Sequence, residues 1–368
     1  MKINFILTHA NMSGGTRVIV TQALELMARG HEVRAFSTPP GQPGFRKTVS
    51  SLLHGKGWPK QWEIGESFFD GSGIPHVTVP KYRPITNRDV PDADVVVATW
   101  WETAEWVWRM APSKGAKAFF IQHYETWGGE PKRVDAAWRL PLHKIVISQW
   151  LADLARDKFG DGDVSLVPNS VDMKLFNSPA RSRQQRPTVG LLYNRIWFKG
   201  CDVALKAVEI ARQQIPDLQL IAFGLESPRH WMPLPPGAQY LIKPKQQAIK
   251  DIYAQCDVWL CGSRSEGFHL PPLEAMACRC PVVSTRVGGP LDTIEDGKNG
   301  FLVDVEDAEA LADRLVRVLK LSDGQWREMS DAAYATACRY SWRDAAALME
   351  KALEAAINQR GLAQRIGA

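Results

Sequence analysis

The chain has 368 residues, of which 45% are hydrophobic and 23% charged, with a net charge of +5. That length points to two domains and that composition to a soluble globular enzyme, and no apolar run approaches the ~18 residues a membrane-spanning helix needs. The mild positive balance suits an anionic substrate, while no basic block with interleaved aromatics recurs as a nucleic-acid groove requires.

Strand and helix signals alternate along the chain, which predicts parallel sheets built from βαβ units. The N-terminus, Met1 to His9, is too short an apolar stretch for a signal peptide and reads as the first strand, over Ile3–Thr8. Met12-Ser13-Gly14-Gly15-Thr16 follows it and opens a helix over Thr16–Arg29. Paired glycines there let backbone amides approach an anion, although Gly-Gly is also an ordinary tight turn and is not the GxGxxG of a nicotinamide fold. The long irregular segment Gly41–Trp62 reads as a functional loop; Phe45, Arg46, Lys47, Leu52, Leu53, Lys56, Trp58, Lys60 and Trp62 suit either an anionic membrane surface or an acceptor loop with solvated lysines.

Further strands are expected at Glu32–Ser37, His76–Val79, Asp94–Ala98, Ala118–Gln122, Lys144–Ile147 and Val164–Val167, with a helix at Glu102–Met110. Trp100, Trp101, Trp106 and Trp108 crowd one strand-helix junction and read as core, with Trp101 the exception that faces a sugar. His123, with Glu125 and Trp127 in the same loop, follows a strand at the carboxyl edge of the first sheet and is a candidate cleft residue. Asp92-Ala93-Asp94 and Asp161-Gly162-Asp163 precede strands, so they read as turns and no metal site is expected from them. The polar stretch Asn177–Arg186 reads as an interdomain linker.

The second half restarts with a strand at Thr188–Leu192, a helix at Asp202–Gln214 and strands at Leu218–Phe223, Val258–Cys261, Val282–Ser284 and Gly300–Val303. Lys199-Gly200 lies at the first strand-to-helix turn, where a lysine pairs with a diphosphate as a point charge; Arg195 is near enough to fork onto the same oxygens. Gly288-Gly289 repeats the paired-glycine pattern. The densest signal runs from Ser263 to Val283, where Glu266 and Glu274 flank a strand-to-helix turn and Glu274 is expected in the first turn of a helix opening after Pro272. A carboxylate accepts several hydrogen bonds and so suits a vicinal diol, although one Glu in a first turn also serves the helix dipole. The six cysteines form no CxxC pair and read as free thiols in a reducing cytoplasm. A long helix from Trp342 to Gln359 ends the pattern.

With Glu266-Gly267-Phe268 through Leu273-Glu274-Ala275-Met276-Ala277, Gly14-Gly15, Val167-Pro168-Asn169-Ser170-Val171-Asp172, Lys199-Gly200, Gly288-Gly289 and Asp296-Gly297-Lys298-Asn299-Gly300 in this order, the chain resembles the family 4 glycosyltransferases, retaining enzymes of the GT-B fold. The resemblance implies an α/β architecture of two Rossmann-like domains facing each other across a deep cleft: residues 1–177 on the acceptor side, residues 187–341 holding a nucleotide sugar, and a C-terminal helix, 342–360, packing back onto the first. It implies that Glu274 holds the ribose, Glu266 contacts the donor sugar, Lys199 neutralises the diphosphate with amides near Gly15 and Gly289, and His123 contacts the transferring sugar. By the same resemblance Gly14, Gly267, Phe268, His269, Leu270 and Gly288 line the donor. The family's diphosphate arginine falls on Asn194 without a gap, so Arg195 fills that role only if the loop shifts by one. His269 stands where the family carries a small residue. Phe119, Ile121, Gln122, His123, Tyr124 and Glu125 also faintly resemble rhamnosyltransferases of surface polysaccharides.

The function these expectations describe is transfer of a hexosyl or deoxyhexosyl group to a hydroxyl of a glycan, lipid-linked or small-molecule acceptor, in the cytoplasm or at the inner membrane face, without a metal or other cofactor. A nucleotide-sugar epimerase on the same fold and a non-catalytic sugar-nucleotide-binding protein are the alternatives.

Overall fold

The computed structural model describes residues 1–41 and 65–366. The membrane-contact expectation for residues 45–62 lies outside the described residues. Within them no helix is long and apolar enough to cross a membrane. The chain forms two compact units: residues 1–147, 151–167 and 345–368 make the first, and residues 148–150 and 168–344 the second.

In the first unit, β1 (Lys2–Leu7), α1 (Gly14–Ala28), β2 (Glu32–Ser37), β3 (His76–Thr78), β4 (Val95–Ala98), α2 (Trp101–Trp108), β5 (Ala116–Ile121), α3 (Pro131–Trp138), β6 (His143–Val146), α4 (Gln149–Phe159) and β7 (Val164–Leu166) alternate in sequence. Their sheet order is β3-β2-β1-β4-β5-β6-β7, every pairing parallel. A sheet covered by helices on both faces needs strands apolar on both sides; Val95–Ala98 is buried at every position.

The second unit repeats the plan with β8 (Thr188–Leu192), α5 (Cys201–Gln214), β9 (Gln219–Gly224), β10 (Gln239–Ile242), α6 (Gln246–Ala254), β11 (Val258–Cys261), α7 (Leu270–Ala277), β12 (Val282–Thr285), α8 (Pro290–Thr293), β13 (Gly300–Val303), α9 (Ala308–Leu319) and α10 (Asp323–Cys338). Its order is β10-β9-β8-β11-β12-β13, also parallel. Trp259 and Tyr253, both fully buried, pack edge to face at 4.5 Å in its core. In each sheet the strand order reverses beside the first strand, between β1 and β4 and between β8 and β11. Ligands of open α/β sheets bind outside the carboxyl ends of the strands at such a reversal.

The chain passes to the second unit after Val167, about ten residues before the expected end of the first domain. The segment expected to be a linker is bound to the second unit by its own polar groups. Arg181 donates to the Cys256 carbonyl and lies over the Trp326 ring, and the Gln184 amide donates to Asp257 at 2.8 Å. A final helix, α11 (Trp342–Ile366), returns the chain to the first unit. Its Glu350 takes hydrogen bonds from Arg29 and His31, and Gln359 meets His143 at 3.1 Å.

Candidate functional site

The loops that follow β8 and β11 flank the reversal in the second sheet. After β8 the chain makes a short 3₁₀ turn, Trp197–Lys199, and enters α5 through Gly200 in the left-handed region, φ 54°. A side chain at Gly200 would run into the Gly262 carbonyl, and one at Gly262 would come within 2.6 Å of the Gly200 oxygen. The two loops therefore touch backbone to backbone, which brings Lys199 to Glu266. The Lys199 Nζ lies 2.7 Å from Glu266 Oε2, and Ser263 Oγ donates to Glu266 Oε1 at 2.9 Å. Burial opposes ionisation of Glu266, yet the charge His269 carries once protonated in acid, the charge of Lys199 and the hydrogen bonds from Lys199 and Ser263 hold its carboxyl below the usual range. His269 Nε2 stands 3.6 Å from Glu266 Oε1, but burial pulls that imidazole down to about 4. At neutral pH His269 is neutral, and Lys199 is the cation that faces Glu266.

Helix α7 begins at Leu270, two residues before Pro272, so Glu274 sits in its second turn and not, as expected, in its first. A dipole role is thereby weakened, since that effect fades beyond the first turn. Glu274 is buried and accepts the Tyr253 hydroxyl at 2.9 Å. His269 precedes the helix with φ 70°, a conformation costly for a residue with a Cβ. Its Nδ1 is buried without a hydrogen-bond partner. The Gly267 carbonyl accepts from Ser148 Oγ at 3.0 Å and Trp150 Nε1 at 2.8 Å, and the Phe268 carbonyl accepts the Gly289 amide at 2.7 Å. Gly288-Gly289 holds this loop: a Cβ on Gly288 would lie 2.9 Å from Glu266 Cβ, and one on Gly289 would strike the Phe268 carbonyl. Phe268 and Leu270 are both buried. Asn194 Oδ1 accepts the Ile196 amide at 2.9 Å, while Arg195 is paired with Glu226. Arg264, unremarked in the sequence, ties the turn together by bonding Asp202, Glu306 and the Trp197 carbonyl.

In the first unit, Gly14 and Gly15 open α1 behind the N-cap Ser13. Among the described residues, a side chain at Gly14 would meet nothing within 4 Å, and one at Gly15 only the Gln122 side chain at 3.6 Å; packing among them does not require either glycine. His123 lies two residues beyond β5 and accepts, through Nδ1, the Trp127 indole N–H at 3.4 Å. Glu125 is buried behind it, its carboxylate accepting the Trp101 amide at 3.1 Å, and burial pushes its carboxyl well above the usual range. Trp101 is buried under the Arg133 guanidinium, 3% exposed, so the expectation that it faces a sugar fails. Among the described residues, the exposed indoles in this region are Trp127, at 52%, and Trp108, at 42%. The Asp-x-Asp carboxylates have structural partners: Asp92 pairs with Lys114, Asp94 accepts the Lys2 amide, Asp161 pairs with Lys144 and Asp163 accepts from Gln359.

Tyr253, Ser148 and Trp150 reach Glu274 and Gly267 across 21, 119 and 117 residues, and nothing in the local sequence around them signals it. Ser263, three residues before Glu266, was open to reading from its spacing alone.

Residues 187–321 match the family model of the glycosyl transferases group 1. D-inositol 3-phosphate glycosyltransferase of Corynebacterium urealyticum is 35% identical over 163 residues, 40% of this chain and 38% of that protein. The enzyme of the same name from Saccharomonospora viridis is 34% identical over 264 residues, covering 65% of this chain and 60% of that protein. The chain therefore spans less than two thirds of the length of these relatives. Among solved structures, Anabaena HepE in complex with UDP-glucose superposes with a TM-score of 0.71 at 17% identity, over 96% of this chain and 99% of that one. Staphylococcus aureus TarM gives a TM-score of 0.72 at 13% identity, over 97% and 99%. Likeness over whole chains at such low identity establishes the GT-B fold.

Proposed function

We propose that the chain is a retaining glycosyltransferase that moves a hexosyl or deoxyhexosyl group from a nucleoside diphosphate sugar to an acceptor hydroxyl, in cell-surface polysaccharide or glycoconjugate synthesis. The observation that carries the reading is the buried Glu266 held by Lys199 beside a second buried carboxylate, Glu274, at the carboxyl edge of a sheet reversal. In this reading Glu274, oriented by Tyr253, takes the ribose diol, and Glu266 takes a hydroxyl of the donor sugar. The acceptor oxygen bonds to the anomeric carbon on the face the diphosphate leaves; the carbon–oxygen bond to the β-phosphate breaks, and the acceptor proton passes to that phosphate. Lys199 stabilises the departing charge, which is why no metal is invoked. Arg195 adds to this only by leaving Glu226. His123 contacts the transferring sugar. The UDP-glucose named with HepE makes uridine the first base to test.

The experiment is a thermal-shift panel of nucleoside diphosphates and their sugars, with and without EDTA, on the wild type and Glu274→Ala. The expected result is stabilisation by one base, about 2.7 kcal/mol at a hundred times its dissociation constant, insensitive to EDTA and lost in the variant. Lys199→Met is expected to keep the fold and lower turnover by about 10²-fold or more. Stabilisation by no nucleotide overturns the reading. Donor turnover to a ring epimer without acceptor points to the epimerase, and nucleotide binding without turnover to a non-catalytic binder.

A further inference from the structure

The second unit carries one surface that neither its core nor the donor carboxylates account for. Fifteen large apolar side chains are exposed among the described residues. Six of them, Ile196, Trp197, Leu225, Trp231, Leu241 and Ile242, lie at the ends of three neighbouring strands, β8, β9 and β10. Apolar residues exposed singly are ordinary, but a concentration of them marks an interaction surface. The three strand ends are tied to one another. Arg195 after β8 pairs with Glu226 after β9, the Tyr240 hydroxyl of β10 donates to the Glu226 carbonyl, and the Lys243 amide donates to the Gly224 carbonyl at 2.8 Å.

Trp231, 59% exposed, stands at the tip of a turn that is held at both ends. The Met232 amide closes the turn on the Arg229 carbonyl at 3.0 Å. The buried Tyr193 hydroxyl accepts the Arg229 amide at 2.9 Å and donates to the Met232 carbonyl at 2.8 Å. Met232 is buried with Tyr193 in the core formed by α5 and α9, so the turn is anchored while the indole beside it stays outside. Leu225, 69% exposed, follows β9 directly, and Ile242, 53% exposed, is paired with Gly224 next to it.

This is not the side of the sheet that carries the donor carboxylates. Tyr240 packs against the α5 core, and Ile242, two residues on, shares its side. Tyr253, which bonds Glu274, packs instead with Phe223 and Trp259, whose strand neighbours Ala222 and Leu260 belong to the α5 core.

The charge of this surface selects its partner. Stretches 195–197, 225–231 and 241–245 carry four cations, Arg195, Arg229, Lys243 and Lys245, against one carboxylate, Glu226. Both arginines share Glu226, so most of the surplus sits on the exposed Lys243 and Lys245. An indole and aliphatic side chains on turn tips, ringed by cations, match an anionic bilayer: the apolar tips enter the headgroup region and the cations meet lipid phosphates. A second copy of the chain fits less well, because a twofold contact sets the same cations against each other. A partner helix seeks a groove where this surface presents tips, and nucleic acid has no use for Leu225 and Ile242.

We propose that the surface formed by Leu225, Trp231 and Ile242, with Lys243 and Lys245, docks the second unit on an anionic lipid surface. It is independent of the glycosyltransferase reading, and failure of one leaves the other standing.

The test is flotation of the full chain with vesicles of phosphatidylcholine and with vesicles of an equal mixture of phosphatidylcholine and phosphatidylglycerol. The chain is expected to bind the mixed vesicles, less so as salt rises. Trp231→Ala combined with Leu225→Ala is expected to lose about tenfold or more in affinity. Lys243→Gln combined with Lys245→Gln is expected to lose about tenfold or more on mixed vesicles and nothing on neutral ones. Trp108→Ala, which removes an exposed indole of the first unit, should change neither, and every variant should melt where the wild type does. Binding to neither vesicle, or equally to both, overturns the proposal. So does unchanged binding in the Trp231 and Leu225 variant, which places lipid contact elsewhere. Loss of nucleotide stabilisation in that variant assigns the surface to the donor, and a dimer in light scattering that the variant dissolves assigns it to a second copy; either result overturns the proposal as well.

Discussion

A single buried side chain, His269, sets an acid limit on the stability of the second unit. Its folded-state value of about 4 lies below the ordinary 6.5 because burial disfavours the imidazolium. Between those two values the unfolded chain binds the extra proton and the folded chain does not, so stability rises with pH across that window. The stabilisation is complete above about pH 6.5 and is lost as pH falls toward 4, by on the order of 3 kcal/mol. Glu266, held low, contributes in the same direction but only below the ordinary carboxylate range. His269→Asn is therefore expected to flatten the dependence of urea midpoint on pH between 6.5 and 4; an unchanged slope would show that the histidine titrates normally. The asparagine also tolerates the left-handed backbone at this position better than most residues. Sequence reasoning could mark His269 as a departure from a small residue in this turn, but neither its burial nor its φ is visible in a string of letters, because the turn is packed against Gly288 and Gly289 of the loop that follows β12.

At the level of elements, the crossing of the β8 and β11 loops explains why two glycines of unlike sequence context are coupled. Gly200→Ala adds a Cβ where the Gly262 carbonyl already stands, at a left-handed φ, and is expected to destabilise the protein by about 2–4 kcal/mol. Gly14→Ala, with open space around it, is expected to change stability by no more than about 0.5 kcal/mol. Denaturant titration of both variants checks the contrast, and equal effects would contradict it. Strands β8, β11 and β13 fall where expected because each is a short, largely apolar run bounded by polar or turn residues, and β2 because Val33, Ala35 and Phe36 follow the polar break after α1. Strand β10 escaped notice because it is a sheet edge with exposed positions and carries no buried apolar run. Lys199, Glu266 and Glu274 were legible because strand-to-helix turns have a local grammar. Tyr253 and Trp150 were not, since their roles arise only when distant segments meet.

For the molecule as a whole, helix α11 belongs to the first unit although it ends the chain. Ala345, Ala346, Met349, Ala352, Leu353 and Ala356 are buried, and Glu350 and Gln359 add polar ties. Deleting residues 345–368 is expected to lower the melting temperature of the first unit by about 10 °C or more and to raise amide exchange in β6 and β7, while β8 to β13 stay protected. Uniform exchange gains in both units would refute that assignment. The same connectivity makes the second unit an insertion: both termini of the chain lie in the first unit, and residues 168–344 form a loop-out between them. A unit arranged in this way is a cassette. Exchanging it with that of a relative takes two seams, after Val167 and after Asp344, and a third, easily overlooked graft: Ser148, Gln149 and Trp150, which sit in first-unit sequence yet grip the Gly267 carbonyl and Asp292. A chimera that carries the seams but not those three residues would present its Glu266 loop unsupported.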